Sequence, residues 1–421
     1  VAQLSGTLNV TLGSGADVSV IGGSATDTVN ISTGNDTLTV TDIERINGDT
    51  GNDTITVTDD ALEFIDLIDG TNTLTFEDGN ALDDHTVTGG SGVDTVKAEL
   101  NANLALTFDN ADLSEIETVQ ITDIGTDNSG TPWTANVTVT GNFNNGQAIT
   151  FDASSLDAGE VFTFDARDYN TGAAVGASDA ISVKGGAADD VLYTAKLDEE
   201  RGALTFDLSL TSDGNDLSGL DTVVIANDGW NGEGLVNVAG GSDESIETAG
   251  DWSSVATSTA HAVEVIGFKG GAGGDRLDVF YGAANSTFGF VEESYVMTTG
   301  DSLSGLATGS VIEINSGSLT LNSLGSSWTL KGIAESLSNR GDGDALVGLK
   351  NGEYTVAIYS SNNASTADAH LFNIRVDGGD GLDFTTASGA GTNSQADADM
   401  IEYVGVLREV GADILTGENF I

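Results

Sequence analysis

Short stretches of alternating polar and β-branched residues, each closed off by Gly, Asn and Asp, set the strongest limit on the fold. Thr37-Leu38-Thr39-Val40, Thr54-Ile55-Thr56-Val57, Val137-Thr138-Val139-Thr140 and Ser318-Leu319-Thr320-Leu321 all have this form. A period of two sends successive side chains to opposite faces, so each stretch predicts a half-buried strand. Helical periodicity is confined to Ala61–Ile68, Gly332–Ser338 and Tyr403–Leu415, each read as one or two turns. Thr, Val, Ile and Gly dominate, and Lys and Arg are scarce, which is β composition. The expectation is an all-β protein.

A longer repeat overlies the strands. Residues 89–123 and 185–228 both open on Gly-Gly, carry Asp at the sixth place, and continue through Leu-Thr-Phe-Asp, Asp-Leu-Ser and a closing apolar strand. A weaker copy begins at Gly270. Gly-Gly pairs that open the pattern stand at 22, 89, 185, 270 and 378. Repeats of this irregular length predict an elongated array of β units. The expected divisions are 1–88, an N-terminal β region with closely spaced turns; 89–184 and 185–269, two repeat units; 270–377, a divergent unit; and 378–421, a C-terminal segment.

Charge narrows the function. With 66 acidic and 13 basic residues the formal net charge is -53. Nucleic acid and anionic membrane surfaces are excluded as partners by charge. The absence of Cys excludes disulfides, thiolate zinc sites and a cysteine nucleophile. No run of 18 apolar residues predicts a membrane-spanning helix. Val1 rather than Met opens the chain, as expected of a processed or larger product. The acid is mostly Asp, 45 against 21 Glu. Asp favours turns and oxygen cages for hard cations.

The Asp residues recur in one pattern, Gly-Gly-x-Gly-x-Asp-x-apolar-x. Residues 89–97 (GGSGVDTVK) and 270–278 (GGAGGDRLD) match it fully. Near matches begin at Gly22, Gly48, Gly185 and Gly378, and Ser32–Thr39 keeps the second half. Glycines let the backbone curl and aim carbonyls inward, and the Asp adds a carboxylate. Oxygen-only ligands select a hard cation, above all Ca²⁺.

This pattern resembles the hemolysin-type RTX calcium-binding nonapeptide, whose tandem copies wind a parallel β-roll. The resemblance implies calcium-ligand roles for Asp27, Asp36, Asp53, Asp94, Asp190, Asp275 and Asp383. It implies an array of β-solenoid (β-roll-like) and β-sandwich-like units with calcium-binding Gly/Asp turns. Only Asp17 to Asp53 shows the close spacing of tandem copies, so an isolated motif needs its other half from elsewhere. The flanking strands, such as Ile116-Glu117-Thr118-Val119 and Phe151–Leu156, are similar to bacterial surface-layer and type I-secreted surface proteins, diffusely over residues 15–390.

The implied function is a secreted, calcium-dependent structural protein that folds outside the cell and assembles with itself into a surface layer or filament. It would sit on the cell surface and touch surface polysaccharide at most. The alternatives are a calcium-stabilised adhesin or carbohydrate-binding protein, and a polysaccharide lyase. Catalysis is not expected: only Arg276 adjoins a strong motif, and it points away from Asp275. His85, His261 and His370 are read as ordinary strand or surface residues, and Trp133, Trp230, Trp252 and Trp328 as packing.

Overall fold

The computed structural model describes residues 6–109, 112–124, 133–141, 148–169, 180–194, 203–208, 221–224, 263–270, 275–278, 294–297, 311–314, 316, 319–321, 333, 337, 352–376, 400–412, 414–415 and 419–420. They fall into two units. One comprises 1–195 with 205–221, the other 196–204 with 222–421. Nearly all regular structure in both is strand, as expected.

In the first unit the chain shuttles between two sheets. One contains, side by side, β1 (Asn9–Thr11), β3 (Thr28–Asn30), β5 (Arg45–Thr50), β7 (Phe64–Gly70), β9 (Thr86–Thr88) and β13 (Leu113–Ser114), with β10 (Ser91–Gly92) also on β7. The other runs β2 (Asp17–Ile21), β4 (Thr37–Thr41), β6 (Thr54–Val57), β8 (Thr73–Phe76), β11 (Thr95–Leu100), β14 (Thr118–Asp123), β16 (Ala148–Asp152) and β18 (Ala180–Lys184). A third sheet holds β12 (Leu104–Phe108), β15 (Thr134–Gly141), β17 (Val161–Tyr169) and β19 (Val191–Tyr193). The pairings within these sheets are parallel. A strand therefore meets its neighbour only after a full circuit through the other sheet.

Register follows from the period of two. Thr37, Thr54, Thr73, Thr95, Thr118 and Thr150 align across six strands. The next residue in each, Leu38, Ile55, Leu74, Val96, Val119 and Phe151, turns inward and is at most 1% exposed. Each such side chain contributes about 1.5–3 kcal/mol by leaving water. Slipping one strand by one residue would exchange its Thr face for its apolar face, which fixes the register. Farther along, Phe108, Phe151, Phe164 and Phe206 contact one another in series, with centroids 5.2–6.3 Å apart.

Glycine makes the tight stacking possible at one corner. Gly34, Gly51, Gly70 and Gly92 lie in successive circuits with φ between 120° and 156°. A Cβ on Gly51 would lie 1.8 Å from the Gly34 carbonyl oxygen, so no other residue fits.

Several sequence expectations are revised. Ala61–Ile68 is not helical: Phe64–Gly70 is β7, because Ile65 and Leu67 alternate inward with Phe64 and Asp66. Tyr403–Arg408 likewise belongs to a strand. Leu319 and Thr320 are irregular and Leu321 is in a 3-10 turn, not a strand. Ile333 and Leu337, in the segment Gly332–Ser338, are helical and buried. A 3-10 helix at Gly79–Asp84, which no periodicity signalled, buries Leu82.

β20 (Ala203–Asp207) lies where the two units divide in sequence. In the second unit β21 (Thr222–Val224) pairs in parallel with β23 (Arg276–Asp278). A mixed sheet follows in the order β22 (Val263–Ile266), β28 (Met400–Arg408), β27 (Ala369–Val376), β26 (Gly352–Tyr359), β25 (Val311–Ile314) and β24 (Ser294–Met297). Only the β26–β27 and β27–β28 pairs in it are antiparallel. At its centre the Tyr359 hydroxyl donates to the buried Glu313 carboxylate and accepts the Ile414 and Leu415 amides at 3.3 and 3.4 Å.

Candidate functional site

Every described motif Asp stands one residue before a strand: Asp27 before β3, Asp36 before β4, Asp53 before β6, Asp94 before β11, Asp190 before β19 and Asp275 before β23. All six are at most 2% exposed. Asp383 lies outside the described residues. Burying a carboxylate is costly unless it is paired or hydrogen-bonded, so the partners decide the role of each.

Those partners are backbone amides of the preceding circuit. Ala16 N–H donates to Asp36, Asp36 N–H to Asp53 Oδ1 (2.9 Å), Asp53 N–H to Asn72 Oδ1 (2.9 Å), Asn72 N–H to Asp94 Oδ1 (2.9 Å), and Asp94 N–H to Glu117 Oε2 (2.6 Å). The five bonds form one ladder, each rung linking residues 17 to 23 positions apart. A second ladder passes from Leu8 N–H to Asp27 Oδ1 (2.5 Å) and from Asp27 N–H to Glu44 Oε2 (2.5 Å). A third joins Phe162 N–H to Asp190 Oδ1 and Asp190 N–H to Asp221 Oδ1, both at 2.9 Å. In each case the side chain satisfies an amide that would otherwise be buried without a partner.

The start of the motif, or the residue just before it, closes on the same Asp. Gly23 N–H donates to Asp27 Oδ2 and Gly186 N–H to Asp190 Oδ2, both at 2.6 Å, and Lys269 N–H donates to Asp275 Oδ2 at 2.7 Å. Asn419 holds the same turn, donating to the Asp275 carbonyl at 2.8 Å. Gly22 and Gly89 admit a close carbonyl: a Cβ on either would lie 1.8–1.9 Å from the carbonyl oxygen of Asp42 or Glu115. Asp42-Ile43-Glu44 and Glu115-Ile116-Glu117 are thus matched elements, each giving a carbonyl to the Gly-Gly turn and a Glu to its Asp amide.

Five of the six described motif Asp residues divide into two kinds. In Asp27 and Asp190 both oxygens accept amides. In Asp36, Asp53 and Asp94 only one does, and Oδ2 is buried with no hydrogen-bond partner. These three share the first ladder, where Asn72 is the neutral member. Burial raises the pKa of Asp53, the charges of Asp36 and Asp49 raise it further, and the Asp36 amide opposes them. Burial also raises that of Asp94; the Asn72 backbone and side chain oppose the rise, and Glu117 and Asp69 add to it. Asp190 is pushed up to about 7, chiefly by burial.

A hard cation fits the donor chemistry of the first ladder, where single carboxylate oxygens lack partners, better than that of Asp27 and Asp190. Among the described residues, no three His, Cys, Asp or Glu side chains converge to form an all-side-chain metal cluster. An ion here would draw on backbone carbonyls as well. Sequence reasoning missed Glu44, Asn72, Glu117 and Asp221; their signal was an acid or amide residue directly before a strand.

His85 is buried and stacked on Phe76 with centroids 5.5 Å apart. His370 is buried in β27, and burial lowers its pKa to about 4. Trp133 is half-buried. His261, Trp230, Trp252 and Trp328 lie outside the described residues. No helix among the described residues is long and apolar enough to cross a membrane. Comparisons with protein-family models, with curated proteins and with solved structures return no match to the chain.

Proposed function

We propose that the chain is a calcium-dependent structural protein, built on a parallel β-solenoid of the β-roll kind, that folds outside the cell and assembles with itself into a surface layer or filament. The observation that carries this reading is the set of unpartnered, buried Oδ2 atoms of Asp36, Asp53 and Asp94 on one ladder of a chain with net charge -53. Three carboxylates in one column without counter-charge repel one another and disfavour the compact state. A divalent cation reverses that sign. Its oxygen preference matches the donors, and extracellular calcium sites bind with Kd of about 10⁻⁴ to 10⁻³ M. At about 100 times Kd, each occupied site adds about 2.7 kcal/mol to the folded state. A few sites would supply a large part of an ordinary domain's stability of about 5–15 kcal/mol. The chain would remain unfolded where calcium is scarce and fold where it is plentiful.

The scaffold role is supported by repetition. One position is used in circuit after circuit to brace the backbone, which distributes the chemistry along the stack. Calcium titration followed by circular dichroism and negative-stain microscopy on one sample tests the proposal. The expected result is β structure and ordered assemblies that appear together with calcium and vanish with EDTA. A fully folded protein in EDTA at low salt would refute the calcium dependence, and a folded monomer in calcium would refute the assembly.

A further inference from the structure

The outward face of the β4, β6 and β8 strands bears a second regular pattern, independent of the ladder. Its residues are Thr37 and Thr39, Thr54 and Thr56, and Thr73 and Thr75. They align as Thr37↔Thr54↔Thr73 and Thr39↔Thr56↔Thr75 with no register shift. Strand geometry spaces them about 6.6 Å apart along each strand and about 4.8 Å between strands. The first column continues through Thr95, Thr118 and Thr150 to Ser182, giving a row of hydroxyls about 29 Å long at that spacing.

Two properties set the six-Thr grid apart from an ordinary strand surface. None of its hydroxyls hydrogen-bonds to another described residue, whereas Thr41 and Thr58 beside it pair with each other at 2.6 Å. It carries no charge, although the chain has 66 acidic residues; Asp17 and Lys97 bound it in the two columns. A cationic partner would be drawn to the acidic remainder of the surface. A protein partner would be anchored by aromatic residues or Arg, and Thr is under-represented at such anchors. A sugar platform would present a ring, and the grid has none. The complementary surface is neutral, periodic in two dimensions and made of oxygen.

We infer that this face adsorbs to ice. Its hydroxyls and methyls would order water at the strand repeats of about 4.8 and 6.6 Å, close to those of the oxygen rows of an ice crystal surface. Each contact is weak, but a rigid grid makes all of them at once, which multiplies their effect. The inference rests on the Thr grid alone and is independent of calcium binding.

The test is partition of the full-length chain into slowly growing ice, in calcium, with the fold checked by circular dichroism. Thr56→Lys puts a charged stem at the centre of the grid; Lys97 already occupies the same column on β11, so the strand accepts it. The wild-type chain is expected in the ice fraction. Thr56→Lys is expected to stay in the liquid, and Gln120→Lys, off the grid, to follow the wild type. Exclusion of the folded wild-type chain from ice, equal adsorption of Thr56→Lys, or adsorption to crystalline cellulose or chitin in place of ice would each overturn the inference.

Discussion

The backbone N–H of Asp36 donates to Oδ1 of Asp53, 17 residues later, at 2.9 Å. The next rung has the same length but ends on Asn72, an amide in place of a carboxylate. The ladder thus contains its own control: an Asn can hold the rung without the charge. Asp53→Ala removes the acceptor and leaves the Asp36 amide buried and unpaired, at a cost of about 1–3 kcal/mol. In calcium the loss should be larger, because the cation site goes with the carboxylate. Asp53→Asn should keep the rung and, in EDTA at neutral pH with high salt to screen the charges and hold the fold, melt at or above the wild-type temperature, because a buried charge has gone. Its gain on adding calcium should be smaller than that of the wild type. An unchanged calcium increment in Asp53→Asn would remove Asp53 from any cation site.

In EDTA with high salt to hold the fold, mild acid should stabilise the first unit. The Asp190 carboxyl titrates at about 7 when folded against 3.8 as its ordinary value, so between those limits the folded state holds the extra proton. Stability therefore rises as pH falls from about 7 toward 4, and Asp53 and Asp94 act in the same direction. Hydrogen exchange in β6, β11 and β19, corrected for intrinsic rates, should slow between pH 7.5 and 5. Faster exchange there would contradict the buried, proton-holding carboxylates.

His370 gives the second unit the opposite sign. Its folded pKa of about 4 lies below the ordinary 6.5, so between these values the unfolded chain binds the proton. Stability from this residue is present above 6.5 and is lost as pH falls toward 4. Exchange in β27 and its neighbours β26 and β28 should quicken over the pH range in which β6 is protected. A uniform response of both units would show that His370 is not held neutral by burial.

Gly51→Ala should be among the most damaging single changes in the first unit. Its methyl would meet the Gly34 carbonyl at 1.8 Å with φ at 156°, a fixed backbone contact. A loss of about 4 kcal/mol or more is expected, as for strain at a special backbone position. Gly13→Ala, with nothing within 4 Å of its methyl, should change the melting temperature little. Comparable melting of the two variants would show that the Gly34–Gly51 stack relaxes.

Local alternation made the strands legible. Thr54–Val57 is β6 to the residue, and Thr37–Val40 falls short of β4 by one. Ala61–Ile68 misled because Leu62, Ile65 and Ile68 also satisfy a helical spacing; partners in β5 and β9 settle the matter, and a single segment does not contain them. The site was half legible. A Gly-rich turn marked the buried Asp residues, through Gly-Gly before Asp27, Asp94, Asp190 and Asp275 and through Gly-Asn before Asp36 and Asp53, but the spacing from each Asp to the amide it serves varies between circuits. Asn72 and Glu117 match no Gly-rich motif and are visible only once the strands are stacked.

The ladder has a direction. Each amide is satisfied by a side chain from the circuit after it, never the one before. A circuit is therefore chemically incomplete until some 17 to 23 further residues have been laid down. Cutting the stack from its C-terminal side exposes a bare donor at each step, whereas cutting from the N-terminal side leaves carboxylates that water solvates readily. The two ends of the same column are unequal in the order in which they must be made and in what their loss leaves behind.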